Sequence, residues 1–171
     1  MPDLHELLHS YVNDHLAGAT AGRDMFRRVA AAFEGTDHGR ALAELAVEVD
    51  EDRDAQLQMM TELGIEPSTP LAIAGQVAEK LGRLKPNATA WRRSPLTDVV
   101  EIEGLRVAVA GKAAGWEALL AATVVEPRLS RVRLEELLAR ARDQAERLRT
   151  LHLQVARERF VSATEAAPTD G

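Results

Sequence analysis

Residues 44–54 have the sequence ELAVEVDEDRD, which places six carboxylates within eleven positions. Leu45, Ala46 and Val49 recur among these acids at helical spacing, so the stretch is predicted to lie inside a long helix. In a helical bundle such a run forms half of a metal site when other helices bring carboxylates and histidines to the same level. Without those partners it is a charged face in contact with water.

The composition favours an all-helical protein. The 171-residue chain is 46% hydrophobic, mostly through alanine and leucine, and only 4% aromatic, a balance that suits closely packed helices better than sheets. Its length predicts a single domain. The absence of cysteine excludes disulfides, thiolate nucleophiles and cysteine-ligated zinc. No signal-peptide pattern and no apolar run of membrane-spanning length, about 20 residues, is found, so the expectation is a soluble cytoplasmic protein.

Apolar residues recur with helical periodicity in four long segments. Asp3 and Glu6 form a capping-box pattern before the first segment, and Gly35 and Gly64 follow the first and second as stop signals. The apolar stripe of the second segment includes Asp52, whereas Asp50, Glu51 and Asp54 are predicted to face water. The four predicted helices cover residues 3–33, 37–63, 97–123 and about 128–160.

The connections predict the topology. The short connections near residues 36–39 and 124–127 require antiparallel hairpins. Residues 65–96 contain four prolines and a predicted short helix at 71–84, and a connection of this length is predicted to travel along the bundle. The predicted bundle domain covers residues 1–161, and residues 162–171 have the composition of a disordered tail.

Two hairpins joined by one long crossover resemble the ferritin-like superfamily, and this resemblance covers residues 3–161. The sequence LHELLHSYVND at residues 4–14, with the later Glu62-Leu63-Gly64, is also similar to the YciF-type ferritin-like proteins of bacterial stress responses. The resemblance implies a ferritin-like four-helix bundle.

A closer similarity is to a family of uncharacterised actinobacterial proteins. It rests on YVNDHLAG at residues 11–18, GRLK at residues 82–85 and SPL at residues 94–96. This resemblance implies no particular activity.

The chain departs from the di-iron pattern of ferritin-like proteins. That pattern needs a Glu from each of two helices and a Glu-x-x-His pair from each of the other two. Residues 48–51 read EVDE, with an acid where the histidine belongs, and residues 149–152 read RTLH, with an arginine where the glutamate belongs. The one literal match, Glu6 with His9, lies in the first helix, where the family places no such pair. A standard di-iron centre is therefore not expected.

Helical geometry nevertheless brings four candidate ligands to one level of the predicted bundle. Glu48, Glu101 and His152, together with Asp24, fall within about one turn of each other and could hold a single iron, manganese or zinc ion. The alternative is a solvated or salt-bridged face in which Glu48 pairs with Arg53 or with an arginine of the fourth helix. This alternative is preferred because acids outnumber bases strongly on the second helix.

The remaining ionisable residues give weaker patterns. His5 and His9 are spaced to share a zinc ion with Glu6, but no further ligand is evident nearby, so an ordinary helix start is preferred. Asp14 is predicted to be a buried, hydrogen-bonded acid. His15 and His38 are predicted to lie at the surface or in a turn.

Charge is unevenly distributed along the chain. Residues 37–66 carry nine acids and two arginines, whereas residues 67–96 carry five basic residues and one acid. This is a weak footprint for nucleic acid in a protein of net charge −6. Contact between the basic crossover and the acidic second helix of another subunit is the preferred hypothesis, which predicts a homo-oligomer. No motif in the sequence identifies a small-molecule ligand.

These observations leave two hypotheses for function. The first is a non-enzymatic ferritin-like bundle that lacks the di-iron ligands and serves as a structural, stress-associated or interaction protein, with no cofactor. The second is a divergent metal-binding protein that uses Glu48, Glu101 and His152 for storage or oxidation of iron, manganese or zinc.

Overall fold

The computed structural model describes residues 3–69 and 94–165, and within these ranges the protein consists of four helices and no strands. The all-α four-helix class predicted from the composition and periodicity is therefore confirmed. The short helix predicted at residues 71–84 lies outside the described residues. The helices are α1 (Leu4–Ala32), α2 (Asp37–Leu63), α3 (Pro95–Ala122) and α4 (Arg131–Glu165).

The helix ends of the first hairpin follow the predicted signals. The Asp3 carboxylate accepts a hydrogen bond from the Glu6 backbone N–H at 2.9 Å, and the Asp3 N–H donates to the Glu6 carboxylate at 3.2 Å. This reciprocal pair is the predicted capping box. Gly64 ends α2 with φ of 67°, a left-handed conformation that glycine adopts without a steric penalty.

Two helix ends differ from the prediction. Helix α3 begins at Pro95 and not at the predicted residue 97, because Ser94 is its N-cap and proline is well suited to the first helical position. Helix α4 continues to Glu165, so residues 162–165, predicted as part of the tail, are helical. No glycine or proline interrupts the sequence there until Pro168.

Each helix packs against two others, and all neighbours are antiparallel. Helix α1 contacts α2 and α3, and α4 contacts α3 and α2. His38, near the start of α2, lies 3.0 Å from Glu158 near the end of α4, and Asp98 at the start of α3 accepts from Arg159 at 2.9 Å. Helices α2 and α3 therefore begin at the same end of the bundle, and the end of α2 lies at the opposite end from the start of α3.

The apolar core has two separate parts, one toward each end of the bundle. Between them, the inward positions of α2, α3 and α4 are occupied by Asp52, Lys112 and Gln144. The middle of the core is therefore polar. The first part includes Leu8, Val12, Leu16, Met60, Leu63, Trp116, Leu134 and Leu138, and the second includes Phe26, Val29, Leu42, Leu45, Ile102, Leu105, Leu148 and Val155.

Asn13 attaches the chain that follows α2 to helix α1. Its side chain is buried, and its amide group donates to the Glu66 carbonyl at 3.2 Å and accepts from the Ser68 N–H at 2.6 Å. These bonds satisfy two backbone groups of the non-helical segment that follows α2.

Glu126 and Arg128 attach the connection between α3 and α4 to the end of α2. The Arg128 guanidinium donates to both carboxylate oxygens of Glu126, at 2.8 and 2.7 Å, and to the Leu63 carbonyl at 2.9 Å. The side-chain hydrogen bonds from Arg128, followed by the bond from its backbone N–H, hold the pKa of Glu126 at about 2 against an ordinary 4.5.

This depressed pKa predicts an acid-dependent loss of stability. Because the folded pKa lies below the unfolded one, the Glu126 contribution is complete above about pH 5 and is lost as the pH falls toward about 2. As the pH falls across that range, the free energy of unfolding of the Glu126→Gln variant should decrease less than that of the wild type. Urea unfolding at a series of pH values measures both. Parallel pH profiles for the two proteins would contradict this assignment.

Candidate functional site

Asp52 is the centre of the polar layer. Its side chain is 2% exposed and pairs with two cations, the Lys112 ammonium and the Arg140 guanidinium. Arg140 Nε donates to Asp52 Oδ1 at 2.7 Å, and the Gln144 amide donates to Oδ2 at 3.2 Å. A carboxylate this deeply buried needs such partners, since an unpaired buried charge is strongly destabilising.

Gln144 connects Asp52 to a second ion pair. It is fully buried, its carbonyl oxygen accepts from Lys112 Nζ at 2.5 Å, and its amide also donates to Glu48 at 3.0 Å. Glu48 in turn accepts from Arg147 at 2.5 Å. We call these six residues of α2, α3 and α4 the central network: Glu48, Asp52, Lys112, Arg140, Gln144 and Arg147.

Burial and charge act in opposite directions on Lys112. Burial lowers the pKa of its ammonium, while the adjacent Asp52 carboxylate raises it and limits the net decrease. The hydrogen bond from Arg147 to Glu48 raises the pKa of that guanidinium. The central network thus contains three cations and two carboxylates, joined by one neutral amide.

Glu48 adopts the salt-bridged alternative predicted for it, because Arg147 belongs to α4. Glu101 lies 3.7 Å from Arg28. These two candidate metal ligands therefore contact different arginines.

His152 and Asp24, the other candidates, also lie beside arginines. His152 Nδ1 lies 2.9 Å from the Arg106 guanidinium, which donates to it, and Nε2 lies 3.2 Å from Glu103. Asp24 pairs with Arg23 at 2.9 Å. Across residues 3–69 and 94–165, no three His, Asp or Glu side chains are grouped so that they could hold a metal ion.

Asp14 does not lie on the inward face of α1 that was predicted for it. That residue is exposed, and the adjacent Asn13 is buried in its place. His15 and His38 are half-buried, with the His15 ring 4.6 Å from that of Tyr11. His5 and His9 are exposed.

A cavity of about 310 Å³ is lined by residues of α1, α2 and α3 and lies directly against the central network. Asp52 and Lys112 are members of the central network and also line the cavity. Apolar side chains, including Phe26, Trp116 and Leu119, form much of the remaining lining, together with the polar residues Tyr11, Asp14, His15, Arg53 and Gln56. Its lining therefore combines apolar side chains with a few polar groups, as is common in ligand sites.

Glycines line part of this cavity. Among the described residues, a Cβ placed on Gly18 or Gly111 would find no atom within 4 Å, and both of these exposed residues line the cavity. A Cβ on Gly115 would lie only 2.7 Å from the His15 ring. A side chain of α1 therefore packs closely against Gly115, whereas no such contact is present at Gly18 or Gly111 among the described residues.

Sequence reasoning missed Lys112 and Gln144, although a signal was present. Lys112 lies on the apolar stripe of α3, and Gln144 lies on that of α4 between Ala141 and Leu148. A cation and an amide on two apolar stripes indicate a buried partner on a third helix.

Protein-family models, curated proteins and solved structures include none that matches this chain. The resemblances to ferritin-like, YciF-type and actinobacterial proteins therefore stay predictions. In the described part of the chain, no helix has the length and apolar character needed to cross a membrane.

Proposed function

We propose that the protein is a non-enzymatic, ferritin-like four-helix bundle in which the central network takes the position of a metal centre. Ferritin-like proteins place their metal ligands on inward positions near the middle of the bundle. In this chain the corresponding level carries the ammonium of Lys112 and the guanidinium groups of Arg140 and Arg147. Their positive charges neutralise the buried carboxylate of Asp52 and the half-buried one of Glu48, as metal ions neutralise carboxylates in di-iron proteins.

The single observation that carries this proposal is the pairing of Asp52 with both Lys112 and Arg140. An additional divalent cation beside Asp52 would be repelled by two charges that already contact the same carboxylate. The antiparallel packing of all neighbouring helices supports the ferritin-like assignment, since α2 and α3 then run parallel with a long connection between them.

Elemental analysis tests this proposal. Protein purified without an affinity tag, and then incubated with ferrous iron, manganese or zinc, should retain far less than one ion per chain. The Glu48→Ala/His152→Ala double variant should give the same value. About one ion per chain in the wild type, lost in the double variant, would favour the divergent metal-binding protein instead.

We also propose that the bundle acts as a structural or interaction protein in a homo-oligomer. The expected contact is salt-dependent pairing of the basic residues of the crossover with exposed acids of α2 in another subunit, although Glu51 and Glu48 already have arginine partners within their own chain. Sedimentation at high protein concentration and low salt should detect the oligomer. A monomer under those conditions would exclude it.

A further inference from the structure

We propose that the outward face of α3 binds the same face of a second copy of this chain, in an antiparallel pair related by a two-fold axis. This contact adds a second surface to the homo-oligomer proposed above, on which it rests, and it does not involve the crossover. Its basis is the composition and the spacing of the exposed residues of α3.

The exposed residues of α3 are almost all apolar or small. In residues 96–122, the exposed side chains that carry charge are those of Glu103 and Glu117. The other exposed residues in this range are Leu96, Val100, Val107, Ala110, Gly111, Ala114, Ala118 and Ala121. Val107 is 68% exposed. A helix that is apolar on all sides is normally covered on all sides, so this face is expected to have a partner.

The charged side chains of α3 are all used within the bundle. Each of the six contacts a side chain of another helix, which leaves the outward face without a charge that a contact would have to desolvate. The pairs are Asp98–Arg159, Glu101–Arg28, Glu103–His152, Arg106–His152, Lys112–Asp52 and Glu117–Arg142.

The outward face has the spacing of a coiled-coil seam. Residues 100, 104, 107, 111, 114, 118 and 121 follow alternating steps of four and three, and all are valine, glycine or alanine. This spacing keeps one face of a helix against a partner helix along its length. The seam lies opposite Leu105 and Trp116, which are buried in the core. Its small side chains would let two helix axes approach to about 8 Å.

The order of side-chain sizes along the seam selects an identical partner. The larger residues lie in its first half and the smaller ones in its second half. An antiparallel pair centred on residue 109 sets Val100 against Ala118 of the second copy and Val107 against Gly111 of the second copy. Each larger residue then meets a smaller one in both directions, as a two-fold contact requires. A parallel pair would instead set valine against valine and glycine against glycine.

The area of the face predicts a weak dimer. Residues 96–121 extend over about 38 Å, and a helix is about 10 Å wide, so the face covers about 400 Å² of each copy. Two copies would bury about 800 Å² through α3 alone, which is below the about 1,200 Å² at which stable interfaces begin. The edges of α1 and α4 add to this area. We therefore expect a dissociation constant in the micromolar range.

Sedimentation equilibrium in about 1 M sodium chloride, which screens charge pairing between copies, tests the contact. The wild type should be in monomer–dimer equilibrium, because apolar contacts persist at high salt. Ala114→Glu should raise the dissociation constant about 100-fold or more, since the two-fold would bury the new carboxylate in both copies. The control, Ala43→Glu, adds the same charge at an exposed alanine of α2 and should leave the dissociation constant unchanged.

Single cysteines test the register, because the chain has none of its own. Ala110→Cys places the two thiols beside the two-fold axis, so mild oxidation should link the dimer. The two thiols of Ala121→Cys would be about 36 Å apart and should not react with each other. Equal cross-linking at both positions would overturn the antiparallel arrangement.

The outcomes separate this contact from the charge-paired oligomer. A dimer that is lost in high salt and is unaffected by Ala114→Glu would overturn the contact through α3 and leave the charge-paired oligomer standing. A monomer at both low and high salt would overturn both. If Ala114→Glu then also lowered the free energy of unfolding of that monomer, the face would be assigned to residues 70–93 of the same chain.

Discussion

Lys112→Met should lower the free energy of unfolding by about 3 kcal/mol, because it removes a cation from the most deeply buried carboxylate of the central network. Methionine keeps most of the side-chain volume, so the loss reports charge and hydrogen bonding and not a cavity. Urea unfolding followed by circular dichroism measures the change.

Arg142→Met is the matched control for this prediction. Arg142 of α4 pairs with Glu117 of α3 at 2.9 Å, but both side chains are exposed, so its loss should cost less than about 0.5 kcal/mol. Adding Asp52→Asn to Lys112→Met should recover more than half of the loss, because the carboxylate is then no longer charged. Equal effects of Lys112→Met and Arg142→Met would contradict a buried network.

Gly39→Ala should destabilise the protein by about 2 kcal/mol through steric overlap at the start of α2. A Cβ on Gly39 would lie 2.1 Å from the Phe33 carbonyl oxygen. That oxygen cannot move freely, since it accepts hydrogen bonds from the Thr36 N–H at 3.1 Å and from the Thr36 hydroxyl at 2.7 Å. Thr36 is in turn the N-cap of α2 and accepts from the Gly39 N–H.

Gly111→Ala is the control, and the expected change has the opposite sign. Its Cβ would meet no atom within 4 Å, so the variant should gain about 0.5 to 1 kcal/mol of stability from higher helix propensity. Urea unfolding of both variants measures the difference. Destabilisation by Gly111→Ala would contradict the open space between α1 and α3.

The helices themselves were predictable because local signals determine them. Apolar periodicity, the capping box at Asp3 and the left-handed glycine at Gly64 all act within a few residues of chain. The inward position of Asp52 was predictable for the same reason, since it follows from spacing along one helix. Asp14 was placed wrongly because small residues weaken the apolar stripe of α1, and a rotation of one residue exchanges it with Asn13.

The central network was not predictable as a unit, because its bonds join helices that are far apart in sequence. Lys112 and Asp52 are 60 residues apart, and Gln144 lies 92 residues from Asp52. The spacing along α3 or α4 predicts that each of these side chains is buried in the bundle. The identity of its partner depends on which helices are neighbours and on where along the bundle axis the side chains meet.

The cavity was not predictable either, because a glycine is compatible with close contact and with open space. Gly115 and Gly111 lie one turn apart on α3, yet the His15 ring packs against the first and nothing faces the second. The difference arises from residues of α1 and not from the glycines themselves.

The most direct test of whether ion pairs and not a metal occupy the centre of the bundle is the thermal unfolding midpoint of tag-free protein. This midpoint is measured with a chelator and, in separate samples, with added ferrous iron, manganese or zinc. A ligand that binds only the folded state raises this midpoint in proportion to its affinity. We predict the same midpoint under all four conditions. A rise with one metal that is reversed by the chelator and absent in the Glu48→Ala/His152→Ala variant would contradict the account.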